Sequence, residues 1–108
     1  MTTYSLPNPR QPLGLPLAEI TIQQHTDGLW RASASVMLRE TGIGRPRQHS
    51  KAHGSEDAAM QDAAGVIRLF CSRVLNGQHH SDHCRLEAQS VLDWLQGLNQ
   101  PTLFEAQS

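Results

Sequence analysis

The chain has 108 residues, 38% of them apolar, 18% charged, with a formal net charge of −1. That length supports one modest core and leaves little room for an enclosed substrate cavity. No apolar run approaches the roughly 20 residues of a membrane span, and residues 1–7 lack the basic start and apolar stretch of a secretory signal. A cytoplasmic protein with no membrane partner is therefore expected, and two cysteines, Cys71 and Cys84, are too few for a disulfide framework.

Four of the six prolines lie in residues 1–16. Proline fixes φ and removes a backbone donor, so this stretch reads as an extended, mobile arm. The folded unit is expected over residues 17–98, with a flexible tail over 99–108. Ile20 and Ile22 alternate with Glu19, Thr21 and Gln23, the period of a half-buried strand. Asp27-Gly28 is a hairpin turn signal, because glycine tolerates positive φ. Trp30, Ala32, Ala34, Val36 and Leu38 then line one face of a second strand, and its two central alanines leave room for a helix to lie close. Residues 41–54, with Gly42, Gly44, Pro46 and Gly54, read either as a long loop or as a short third strand near residues 47–52.

Ser55 is a good N-cap, and Glu56 and Asp57 sit favourably in the first turn against the helix dipole. Met60, Ala63, Ile67, Phe70 and Val74 follow at helical spacing, and Asn76-Gly77 stops the run. A second helix starts at the Ser81 cap and carries Cys84, Ala88, Val91, Leu95 and Leu98 on one stripe, flanked by Leu92 and Trp94. The expected fold is α+β: a small antiparallel sheet, a hairpin with or without a third strand, with two helices packed on one face.

Charge is unevenly spread. Arg31, Arg39, Arg45, Arg47 and Lys51 face a single acid, Glu40, across residues 31–51, and from residue 52 onward the balance reverses. Charge divided in this way suits a surface that meets a charged partner. The candidate partner-binding residues are Arg39, Arg45, Arg47 and Lys51 on the basic segment, with Glu56 and Asp57 at the acidic helix start.

Three short segments carry other readings. Gly44-Arg45-Pro46-Arg47 resembles the core of an AT-hook, which implies arginines inserted into a DNA minor groove. Gln100, Leu103 and Phe104 resemble the peptide with which bacterial replication and repair proteins dock on the sliding clamp. His80, His83 and Cys84, with His79 and Cys71 nearby, are zinc-type ligands, but no Cys-x-x-Cys pair accompanies them. The competing reading makes both cysteines small core residues.

The strand from Trp30, then Gly54-Ser55-Glu56-Asp57-Ala58-Ala59 and Ala63-Ala64, resembles the sheet-and-helix module of double-stranded-RNA-binding domains over residues 30–70. It is also similar to HicB-type antitoxins. The resemblance implies a helix whose alanines pack on a sheet. It does not carry RNA binding, since Glu56, Asp57 and Met60 stand where the RNA-binding family has lysines.

No Gly-rich phosphate cradle or nucleophile elbow is visible, and capping accounts for the carboxylates at helix starts. The expectation is a non-enzymatic binding protein without a cofactor, a regulator or inhibitor of a larger protein or nucleoprotein complex. Its size and character resemble those of phage and mobile-element proteins such as anti-CRISPR proteins. The alternatives are a DNA-associated module using the basic loop 39–51, and a zinc-binding domain at residues 79–84.

Overall fold

A computed structural model describes residues 1–11, 13–46, 50–77 and 80–98. Four strands, β1 (Thr2–Leu6), β2 (Ala18–Gln24), β3 (Trp30–Met37) and β4 (Gly42–Arg45), precede two helices, α1 (Glu56–Asn76) and α2 (Asp82–Leu98). The strands form one antiparallel sheet in the order β1-β2-β3-β4. The architecture is α+β, with α1 against β2 and β3 and α2 packed on α1.

Alternation sets the faces of the sheet. Ala18, Ile20 and Ile22 of β2 and Ala32, Ala34 and Val36 of β3 are buried, while Glu19, Thr21, Arg31, Ser33 and Ser35 lie on the opposite face. The β2–β3 turn closes at Gly28, whose φ of 81° is a left-handed conformation that other L-residues rarely adopt. Buried Ala59, Ala63 and Ala64 on α1 match the small alanines of β3. Small side chains on both sides let helix and sheet approach closely, and Ile20, Ile22, Ile67, Val91 and Leu95 fill the remaining volume.

Both helices start as their caps predict. Ser55 Oγ accepts the Ala58 N–H at 3.1 Å, and Ser81 Oγ accepts the Cys84 N–H at 3.2 Å. On α1 the buried position in the fourth turn belongs to Cys71, with Phe70 only half-buried. Gly77 ends α1 with φ −79°, donating its N–H to Arg73, so no left-handed residue closes the helix. Among the described residues, no helix is long and apolar enough to cross a membrane.

Two expectations are corrected. Residues 2–6 are no mobile arm: they form an edge strand in register with β2, Thr2 opposite Ile22 and Leu6 opposite Ala18. An edge strand ending before Pro7 loses no ladder bond to the proline. The remaining strand lies at residues 42–45, earlier than 47–52, because Ile43 and Arg45 continue the inward-facing register beside Val36 and Ala34. Trp30, which opens β3 on the inner face, is half-buried.

Candidate functional site

The basic segment is an excursion from the sheet edge. β4 leaves β3 after the Arg45–Ala34 pair. The chain returns at His53, which exchanges both backbone hydrogen bonds with Trp30, each at 2.8 Å. The connection between these points carries no strand or helix at its described residues, Pro46 and 50–52.

One helical carboxylate holds both ends of that connection. Asp62 on α1 accepts from Arg45 Nη1 on Oδ1 at 3.3 Å and lies 2.9 Å from His53 Nε2 through Oδ2. A carboxylate is an acceptor, which places the His53 proton on Nε2. All three side chains retain a quarter or less of their exposure. Partial burial pushes the Asp62 carboxyl up, but the hydrogen bonds from His53 and Arg45, and then their charges, outweigh it and hold the group below its ordinary value.

The candidate residues therefore separate. Arg45 is committed to Asp62, which departs from the free arginine that the AT-hook resemblance implies. Lys51 is exposed on the loop, whereas Arg47 lies outside the described residues. Arg39 is exposed at the far end of β4, in the turn between β3 and β4. Glu56 is half-buried and Asp57 exposed in the first turn of α1. Gln100, Leu103 and Phe104 lie outside the described residues.

The β3–β4 turn is fastened to α2. Glu40 Oε1 accepts the Ser81 N–H at 3.0 Å, and Glu87 Oε1 accepts the Arg39 N–H at 2.7 Å. Hydrogen bonds from the Ser81 side chain and backbone lower the Glu40 carboxyl.

The described zinc-type residues do not form a ligand set. Cys84 is buried on the inner stripe of α2, His83 is exposed, His80 is half-buried and His79 lies outside the described residues. Among the described residues, no group of three or more His, Cys, Asp or Glu side chains is arranged to hold a metal ion. Burial, with a smaller contribution from neighbouring Cys84, pushes the Cys71 thiol up to about 11. A thiol so far from the thiolate form is a poor nucleophile and metal ligand.

Asp62, His53 and Arg10 were not among the sequence candidates. The only signal for Asp62 was an acid beside the apolar stripe of α1, directly before buried Ala63. No protein-family profile, curated protein or solved structure matches this chain.

Proposed function

We propose that this chain is a non-enzymatic docking protein, a regulator or inhibitor that engages a larger protein or nucleoprotein complex through the basic connection between Arg45 and His53. The observation carrying this reading is the double grip of Asp62 on Arg45 and His53. A loop whose ends are fixed is presented from a defined base, and less ordering entropy is lost when a partner binds it. Its exposed cation, Lys51, and the neighbouring Arg47 are suited to steering toward an acidic surface. The buried state of Cys71 and Cys84 favours a structural role for both thiols over nucleophilic chemistry.

A second reading, direct DNA association, rests on the same cations. Glu56 and Asp57 open α1 shortly after Lys51, so a protein surface carrying both signs of charge suits this region better than the uniformly anionic backbone of a duplex. Arg47→Glu with Lys51→Glu, compared with wild type in affinity capture from a bacterial lysate, tests the proposal. Loss of specific captured protein, with an unchanged thermal melt, is the expected result. Capture that survives the double reversal overturns the loop as the docking element. Salt-dependent binding of a purified duplex, abolished by the same substitutions, would select the DNA reading instead.

A further inference from the structure

At the other end of β4, away from the basic loop, lies a cleft of about 200 Å³. Asn8, Arg10, Leu15, Met37, Leu38 and Arg39 contribute to its walls. Its volume suits a single large apolar side chain.

Hydrogen bonds brace the walls. Asn8 is buried, its Oδ1 accepts the Arg10 N–H at 3.0 Å, and its carbonyl accepts the Gln11 N–H at 3.0 Å. Gly14 then donates to the Gln11 carbonyl at 2.9 Å, a second turn that leads into Leu15. Arg10 Nε reaches Glu87 Oε2 at 2.9 Å, and the other oxygen of Glu87 holds the Arg39 backbone. The segment after β1, the β3–β4 turn and α2 are thus tied together beneath the cleft.

Of the apolar side chains in the walls, Leu38 is buried in the core, whereas Leu15 and Met37 stay in water. Leu15 retains 67% of its exposure and Met37 48%, and Leu13, two positions earlier, is fully exposed. Single exposed leucines need no explanation. Apolar side chains gathered at a cleft and rimmed by charge are the pattern of an interaction site. The charge at the rim has one sign to offer. Arg10 is matched by Glu87, and Glu40 is engaged by Ser81, whereas the Arg39 guanidinium has no ion-pair partner among the described residues.

We propose that this cleft docks a partner-protein segment that sets one aliphatic or aromatic side chain against Leu15 and Met37. An aspartate or glutamate within two residues of that anchor pairs with Arg39. The site is separate from the connection between Arg45 and His53 and does not depend on it.

Fluorescently labelled short peptides with a Glu-Leu-Phe-Glu core, titrated with the full chain and followed by anisotropy, test the proposal. Saturable binding is expected, at least about tenfold tighter than for Lys-Leu-Phe-Lys or Glu-Ala-Ala-Glu controls. Leu15→Ser and Arg39→Glu should each weaken it by at least about tenfold without changing the thermal melt. Arg47→Glu with Lys51→Glu should leave it unchanged, so a failure of the loop reading does not register here. Absence of saturable binding, equal binding of the basic control, or indifference to both cleft substitutions overturns the proposal. A dimer detected by light scattering and dissolved by Leu15→Ser overturns it in favour of a second copy of this chain.

Discussion

Arg45 and His53 bind opposite oxygens of the same carboxylate, Asp62, although one ends β4 and the other follows the loop. Closure of the loop is therefore a property of α1 as much as of the sheet.

Asp62→Asn should loosen both ends of the loop at once. Charge-assisted bonds between partly buried groups, discounted for their remaining exposure, imply a loss of about 1 kcal/mol, read from urea melts at neutral pH. The folded-state pKa of this carboxyl is lowered from the ordinary 3.8. Its stabilising contribution is therefore complete above that value and disappears as the pH falls through the lowered folded value. Wild type should lose its margin over Asp62→Asn in that acidic window, and a margin that persists there would show that the ion pairs do not supply it.

Deleting residues 2–6 should destabilise the protein by at least about 2 kcal/mol, because Tyr4 and Leu6 pack against the core and β2 would lose its outer partner. A melting temperature within a degree or two of wild type would mean that the strand is dispensable.

Gly42 and Gly44 offer a paired comparison within one strand. A Cβ at Gly42 would stand 2.8 Å from the Val36 carbonyl oxygen and 3.1 Å from Met37 Sδ, while one at Gly44 meets nothing within 4 Å. Gly42→Ala should cost roughly 1–2 kcal/mol and Gly44→Ala less than about 0.5 kcal/mol. Equal thermal shifts for the two would contradict the register of β4.

Ile67→Ala empties a fully buried position between helix and sheet and should cost roughly 2–5 kcal/mol. Half-buried Trp30→Ala should cost less, roughly 1–2 kcal/mol. Chemical denaturation that ranks the two in the opposite order would place Trp30 in the core.

The β2–β3 hairpin and both helices were legible because each repeats its signal: alternation around Asp27-Gly28, and apolar stripes behind Ser55 and Ser81. β1 was hidden by the prolines that follow it and by its brevity, with only Tyr4 and Leu6 marking an inner face. β4 was hidden because Gly42 and Gly44 leave half of its alternation without side chains, and a cation, Arg45, occupies an inward position. The sequence candidates included Arg45 as a free, exposed residue. Its partner Asp62 lies on a different element, and local pattern carries no information about such a pairing. Arg10 and Glu87 were illegible for the same reason.

The strand order of the sheet follows the order of the chain. Each strand finds its partner next to it in sequence, so the sheet assembles by successive short closures with no crossover to wait for. The β2–β3 hairpin, which has the tightest turn signal and lies between the other two strands, is the expected nucleus. β1 and β4 can then add to it independently. Substitutions in that hairpin should slow folding, whereas those in the outer strands should chiefly hasten unfolding.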